Sequence, residues 1–423
     1  MTNDNGATAF KPSSWWNETR RQVAPPHLEA AVQKTIQDLA GISRREARDR
    51  GQVSARAQTA LNAHLRGLGY SSVAGEELGP AVAQVVSQIA GLRFLDRLIP
   101  PACDAYTDIQ LNADGSVWAR AKGRMEHILL EDVRPAHEEV WHAIETLLAP
   151  EGKACSEATP TVDAKLPRDP ALGFGGARLK VLHPTLVGGD YPVLALRLYE
   201  SQPVPPEQIV GWGVFPETVV QALLECVCER LRLLVVGGTG TGKTTLLSAL
   251  AHGFSPETRI VTVEDPNEIW LPHPNVICIE ARHAPPGSDV PPYTVADGVD
   301  DALRLAPEAI LVGEVRTGDA ALSLFRAMMS DHAGLTTFHA EGPQHAVHRM
   351  GVVMYADAQV PYQAARGMFV EAIDLVVQVG WRAGRREGLS VWEVVGLERG
   401  EVKFRPLWQP GQVEMEATVR RRN

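Results

Sequence analysis

The feature that most constrains the fold is a glycine-rich segment, residues 237–244, which reads GGTGTGKT. An apolar run, residues 231–236, precedes it, and the amphipathic run TLLSALA follows it. This order predicts a buried strand, a phosphate-binding loop and a helix, because glycines let the N–H groups of the loop turn toward a bound phosphate. The sequence therefore predicts a nucleoside triphosphate site within an α/β domain.

The side chains of this loop have separate predicted roles. Lys243 is expected to reach the β- and γ-phosphates, and the Thr244 hydroxyl is expected to bind Mg²⁺. The predicted helix adds the positive end of its dipole beside the phosphates. The residues expected to bind the nucleotide are Gly237, Gly238, Thr239, Gly240, Thr241, Gly242, Lys243, Thr244 and Thr245.

Length, charge and cysteine content exclude several classes of protein. The 423 residues suggest two or three domains, and the formal net charge of −10 argues against a coat for nucleic acid. The five cysteines include no CxxC pair, so neither a zinc ribbon nor a disulfide framework is expected. No apolar run approaches the roughly 18 residues of a transmembrane helix, and the first residues lack the apolar core of a signal peptide. These features predict a cytoplasmic protein without an integral membrane segment.

Composition and hydrophobic periodicity divide the chain into five segments. The predicted segments are a disordered N-terminus (residues 1–26), a helical extension (27–100), an α+β domain (101–200), a linker (201–208) and a P-loop domain of alternating strands and helices (209–423). Within the α+β domain, a hairpin is expected around residues 112–115 and two strands are expected to flank residues 188–190. Residues 151–170, rich in Pro, Asp and Lys, are expected to form a loop.

Three acidic residues follow the next predicted strand, residues 260–263. They are Glu264, Asp265 and Glu268. Carboxylates beyond a strand end and near a triphosphate suit Mg²⁺, which they bind directly or through water. A solvated acidic turn is the alternative interpretation.

Two further predicted strands end in residues suited to phosphate chemistry. The strand Ala309–Val312 leads to Glu314, a carboxylate placed to orient and deprotonate an attacking water. Gly313 stands where many P-loop ATPases carry a magnesium-binding Asp, which shifts the expected Mg²⁺ contacts to Thr244, water and the three acidic residues. The strand in GLTTFHAE ends at His339, which can sense the γ-phosphate or relay its loss; a structural histidine is the alternative.

Taken together, these motifs resemble those of the traffic ATPases of type II and type IV secretion, conjugation and pilus assembly. The resemblance covers about residues 106–408. In that family, the segments GGTGTGKT, TVEDPNEIWLPHPNVICIEAR, ALRLAPEAILVGEVRTGDA and GLTTFHAE are the Walker A motif, the Asp box, a Walker B motif with glycine in place of aspartate, and the His box. The segment HPNVICIEAR resembles the type IV secretion, conjugative-transfer and tight-adherence (Flp) pilus branch.

The resemblance implies a fold, a set of partners and further site residues. It implies an α/β fold in which a C-terminal RecA-like P-loop ATPase domain follows an α+β, PAS-like N-terminal domain, with ATP and Mg²⁺ bound between the two. The segment GGARLKVLHPTLVGGDYPVLALRL resembles one that carries phosphate-contacting arginines, which assigns this role to Arg178 and Arg197 and extends it to Arg316. Members act as hexameric rings at inner-membrane components of secretion or pilus complexes, so a peripheral membrane location and no direct nucleic-acid partner are implied.

Three other functions compete with a secretion ATPase. A RecA-like nucleic-acid motor shares the P-loop and the glutamate, but the acidic charge and the lack of a basic, aromatic-interleaved stretch argue against it. A GTPase switch lacks its guanine-reading Asn-Lys-x-Asp string. A catalytically inactive scaffold is at odds with the presence of Lys243, Thr244 and Glu314.

Overall fold

The computed structural model describes residues 26–39, 50–70, 75–169, 174–284 and 289–418. The segment predicted to be disordered, residues 1–26, lies outside the described residues except for Pro26, which begins the first helix. In the part of the chain that is described, no helix is both long enough and apolar enough to cross a membrane.

A bundle of three helices forms the predicted helical extension. The helices are α1 (Pro26–Leu39), α2 (Arg50–Gly67) and α3 (Gly75–Ala90). Apolar residues at helical spacing, among them Leu28, Leu61 and Val85, are buried between the helices. They form a hydrophobic cluster of their own, so this bundle has its own small core.

An antiparallel sheet and a helix form the next domain. Its elements are β1 (Tyr106–Leu111), β2 (Val117–Ala121), β3 (His127–Leu129), α4 (His137–Leu148), β4 (Thr161–Leu166), β5 (Ala177–Leu182) and β6 (Val193–Leu198). The strand order is β3-β2-β1-β6-β5-β4. The predicted hairpin at residues 112–115 joins β1 to β2, and β5 and β6 flank residues 188–190 as predicted. Alternate strand residues are buried against α4, which explains the period of two in the sequence.

The prediction of a loop over residues 151–170 is wrong for the strand β4. Val162, Ala164 and Leu166 are buried while Thr161 and Asp163 are exposed, which is the alternation of a strand with one buried face. β4 pairs with β5 along its whole length and forms the edge of the sheet. Its polar outward face gives the segment the composition of a loop.

The C-terminal domain is a mixed sheet with helices packed on it. Its elements are α5 (Pro206–Gly211), α6 (Glu217–Cys228), β7 (Leu233–Val236), α7 (Lys243–Leu250), β8 (Ile260–Glu264), β9 (Val276–Glu280), α8 (Val295–Ala302), β10 (Ala309–Val312), α9 (Gly318–Met329), β11 (Ala333–Phe338), α10 (Pro343–Ala358), α11 (Tyr362–Ala372), β12 (Leu375–Arg382), β13 (Arg385–Glu398) and β14 (Glu401–Trp408). The strand order is β14-β13-β12-β7-β11-β10-β8-β9.

The central strands of this sheet are parallel and fully buried. Strands β12, β7, β11, β10, β8 and β9 pair in parallel, and β13 and β14 extend the sheet in antiparallel fashion. All residues of β7, β8, β10 and β11 are buried, because helices cover both faces of a parallel sheet. Their carboxyl ends meet at one edge, where ligands bind in open α/β sheets. The predicted α/β fold is confirmed.

Candidate functional site

A cleft with a cavity of about 290 Å³ opens between the antiparallel sheet and the carboxyl edge of the parallel sheet. The P-loop residues Lys243 and Thr244 line it from the C-terminal domain, and Asp108 and Arg197 line it from the N-terminal domain. Linker residues 202–204 also line it. The site is therefore built from both domains.

The P-loop has the backbone conformation that the glycines predict. Gly240 and Gly242 have φ values of +73° and +89°, which residues other than glycine rarely adopt. The Thr241 hydroxyl donates a hydrogen bond to the Gly238 carbonyl at 2.9 Å, closing the loop on itself. A Cβ on Gly237 would lie 2.4 Å from the Val379 carbonyl oxygen, so only glycine fits beside β12. Of the predicted nucleotide-binding residues, 237–242 thus form a compact loop and 243–245 form the first turn of α7.

Lys243 is the first residue of α7, and its ammonium lies inside the cleft. Its Nζ donates to the Gly238 carbonyl at 2.9 Å and lies 3.4 Å from the ring nitrogens of His339. Burial lowers the pKa of Lys243 to about 8, which Glu314 partly offsets. A phosphate group beside Lys243 would add counter-charge to that of Glu314 around this buried amine.

Glu314 is held between a cation and an imidazole. Arg316 contacts its Oε2 through both Nε and Nη2 at 2.7 Å, and the Nε2 of His339 lies 2.7 Å from its Oε1. Glu314 and His339 meet because they follow β10 and β11, which are parallel neighbours. Thr337 of β11 also joins the two strand ends, since its hydroxyl donates a hydrogen bond to the Gly313 carbonyl at 2.7 Å. Burial, reinforced by the Lys243 charge, lowers the pKa of His339, so the imidazole beside Glu314 is biased toward its neutral form.

The three acidic residues after β8 do not form the cluster that the sequence suggested. Glu264 is 2% exposed, and its carboxylate accepts hydrogen bonds from the N–H groups of Glu268 and Ile269 at 3.1 and 3.0 Å. Glu268 lines the cleft, whereas Asp265 lines a second cavity of about 260 Å³ that shares Glu314 and Arg316 with the cleft. Within the described residues, no three His, Cys, Asp or Glu side chains are grouped closely enough to hold a metal ion. Backbone N–H groups therefore satisfy the buried Glu264 carboxylate, and the other two acidic side chains line different cavities.

The glycine at position 313 is explained by the same buried side chain. A Cβ on Gly313 would lie 2.9 Å from both Cγ and Oε1 of Glu264, closer than side chains approach in proteins. Burial raises the pKa of Glu264 to about 8. Glu264 therefore occupies the space into which an aspartate at position 313 would extend.

The two arginines assigned to the phosphates have different positions. Arg197 lines the cleft, and its Nε donates to Oδ1 of Asp108 at 3.0 Å. Arg178 pairs with Arg197 across β5 and β6, but it is exposed and is not among the residues that line the cleft. Arg316 lines the cleft and pairs with Glu314. Of the three predicted arginines, the structure thus brings Arg197 and Arg316 to the cavity wall.

Two further arginines of the cleft, Arg120 and Arg386, were not predicted from the sequence. Arg120 of β2 lies 3.7 Å from the second oxygen of Asp108, and Arg386 of β13 donates a hydrogen bond to the P-loop carbonyl of Gly240 at 3.0 Å. The hairpin register offered a signal for Arg120, because it places Arg120 directly opposite Asp108. No local pattern marks Arg386, which follows Gly240 by 146 residues.

Comparison with known proteins agrees with the resemblance seen in the sequence. The family model described as "Type II/IV secretion system protein" matches residues 104–378. A putative conjugal transfer protein of Mycobacterium tuberculosis is 30% identical over 76% of this chain and 89% of its own length. The conjugal transfer protein TrbB of Rhizobium radiobacter is 30% identical over 72% of this chain and 87% of its own length.

A solved structure extends the similarity to the fold. The Legionella pneumophila ATPase DotB aligns with a TM-score of 0.51 and 21% identity, covering 70% of this chain and 78% of that one. The family model alone spans well over half of the sequence, including the P-loop, Glu314 and His339. The chain belongs to the family of Type II/IV secretion system proteins.

Proposed function

We propose that the protein is an ATPase that hydrolyses ATP to drive a type IV secretion, conjugative-transfer or pilus-assembly machine. The observation that carries this proposal is the position of Glu314. Its carboxylate lines the P-loop cleft, where it pairs with Arg316 and lies beside His339, which in turn lies 3.4 Å from the Lys243 ammonium. Family membership and the two conjugal transfer relatives support the same function.

Each step of the proposed hydrolysis uses a residue of the cleft. The P-loop amides and Lys243 bind the β- and γ-phosphates. Glu314 orients a water and takes its proton as the water attacks the γ-phosphorus, while the bond from that phosphorus to the β,γ-bridging oxygen breaks and ADP leaves. The adjacent His339, biased toward its neutral form, can accept a hydrogen bond or a proton from that site. Arg197, from the other domain, stabilises negative charge that develops on the phosphoryl oxygens.

The oxygen donors in the cleft fit a magnesium ion carried in with ATP. The Thr244 hydroxyl and the Glu268 carboxylate both line the cavity, and Mg²⁺ prefers such hard oxygen ligands. Burial raises the pKa of Glu268, and a cation beside it would favour its charged form. When bound, the ion neutralises part of the triphosphate charge.

A test of nucleotide binding is the replacement of Lys243. Lys243→Ala removes the cation of the P-loop, so we expect the dissociation constant for ATP to rise by about 10- to 100-fold, since hydrogen bonds to charged groups are worth that much. Calorimetry measures the affinity, and release of inorganic phosphate measures turnover. Lys403→Ala, an exposed lysine of β14, is the matched control and should change neither quantity. Undiminished ATP affinity in Lys243→Ala would contradict a P-loop nucleotide site.

The proposal includes a hexameric ring that works peripherally at inner-membrane components. The cleft built from two domains supports mechanical work, because a change in bound nucleotide can open or close it and move one domain against the other. The ring and its location follow from the resemblance to the traffic ATPases. Light scattering with and without ATP tests the ring, and a hexamer of 45.9 kDa chains is expected. A strict monomer at high protein concentration in both conditions would contradict it.

The nucleic-acid motor is the weaker candidate. The family match and the conjugal transfer relatives do not favour it, and the formal net charge is −10. Salt-sensitive stimulation of ATP hydrolysis by single-stranded DNA would reverse this ranking.

A further inference from the structure

The hairpin of β12 and β13 carries an arginine that contacts the P-loop backbone. Arg386 lies opposite Trp381 in the hairpin, with its guanidinium 5.3 Å from the centre of the indole ring. It is half-buried and lines the cleft. Its Nε donates a hydrogen bond to the Gly240 carbonyl at 3.0 Å, and its Cδ lies 3.7 Å from the position of a Cβ on Gly242.

A phosphate-binding loop has a particular need for such a donor. Its N–H groups must turn toward the anion, and the left-handed φ values of Gly240 and Gly242 are part of that turn. Carbonyl oxygens that face the same cavity would repel the phosphates unless a donor occupies them. Arg386 donates a hydrogen bond to the carbonyl oxygen of Gly240. Unlike a neutral donor, its guanidinium also brings a positive charge into the cavity.

The same hairpin also contacts the segment that follows His339. Val379 of β12 abuts Gly237, and Gln378 donates a hydrogen bond to the Glu341 carbonyl. Ser390 of β13 donates to the amide oxygen of Gln378 at 2.7 Å, which orients this side chain. The hairpin thus contacts both the P-loop and the backbone that carries His339, so the position of Arg386 relative to the loop is fixed from two sides.

We propose that Arg386 is a positioning residue of the nucleotide site, which holds the P-loop in its phosphate-binding conformation through the carbonyl of Gly240. This inference rests on the proposed nucleotide-binding function and deepens it, because it adds a contribution from the C-terminal hairpin to the P-loop and the N-terminal arginines. The contact acts on the loop that cradles the phosphates shared by ADP and ATP, so its removal affects both ligands alike.

The test measures affinities for ADP and for a non-hydrolysable ATP analogue on the full chain. Arg386→Ala is expected to raise both dissociation constants by at least about tenfold, with the thermal midpoint of the ligand-free protein unchanged within about 2 °C. Arg386→Lys is expected to lose most of the affinity as well, because the lysine nitrogen lies one bond farther from the backbone than Nε. Arg385→Ala, the exposed neighbour on the same strand, is the matched control and should bind both ligands normally.

Each other outcome overturns the positioning role. Wild-type affinity in Arg386→Ala would show that the loop does not need the contact. Full recovery by lysine would show that only charge at this position matters, and a loss confined to the ATP analogue would indicate contact with the γ-phosphate instead. Because ADP binding requires no hydrolysis, a wild-type protein that binds nucleotide without turnover would contradict the ATPase proposal and leave this one standing.

Discussion

Replacing Glu314 with glutamine is expected to reduce ATP turnover by about 10²- to 10⁴-fold, the range typical of a lost general base. The amide has the same shape but a much weaker affinity for the proton of an attacking water. Arg316 can still donate to the amide oxygen, and Lys243 and the P-loop are untouched, so nucleotide affinity should change little. Steady-state kinetics gives the turnover number, and calorimetry with a non-hydrolysable analogue gives the affinity.

A second variant separates the loss of catalysis from the loss of one negative charge. Asp331→Asn removes an exposed carboxylate just before β11, at the opposite end of that strand from His339, and asparagine tolerates the local φ of +73°. This control should turn over ATP at the wild-type rate. Wild-type turnover in Glu314→Gln would remove the catalytic assignment, and a joint loss of turnover and affinity would assign Glu314 a structural role at the P-loop instead.

Most of the α/β domain was predictable, because its strands are buried on both faces. In the sequence such strands are short apolar runs, and the helices between them are amphipathic segments. The strand Ala309–Val312 was predicted at its observed bounds for this reason. The strand Thr161–Leu166 was missed because it lies at a sheet edge, where a polar outer face and neighbouring prolines resemble a loop. Its alternation of buried and exposed residues was the available signal.

The positions of the site residues were predictable from the sequence where those residues belong to a motif at the end of a strand. The P-loop, Glu314 and His339 each follow a buried strand, and the parallel sheet brings those strand ends together. Arg120 and Arg386 come from antiparallel strands distant in sequence, and only the relative placement of two sheets brings them to the cleft. The environment of Glu264 could not be predicted either, because the neighbouring sequence does not indicate that backbone N–H groups donate hydrogen bonds to its carboxylate. The catalytic and binding roles of all these residues stay predictions.

The largest expected effect on stability comes from an ion pair outside the cleft. Arg232 and Asp374, each 1% exposed at the side chain, join the start of β7 to the start of β12. The Nε and backbone N–H of Arg232 both donate to Oδ2 of Asp374, and Nη1 donates to the Met328 carbonyl. Loss of one partner leaves an uncompensated charge in the interior, which costs about 3–5 kcal/mol.

Asp374→Asn is therefore expected to lower the free energy of unfolding of the P-loop domain by about 3–5 kcal/mol, because the Arg232 charge stays buried without its counter-charge. Hydrogen exchange of the β7 and β12 amides, read by mass spectrometry, reports this free energy for the strands concerned. Glu398→Gln, which breaks the exposed pair with Lys403, is the control and should cost less than about 1 kcal/mol. The double change Arg232→Met with Asp374→Leu removes both charges together, so it should recover most of the loss. If the single and double variants were equally destabilised, the loss would come from packing at this position rather than from the unpaired charge.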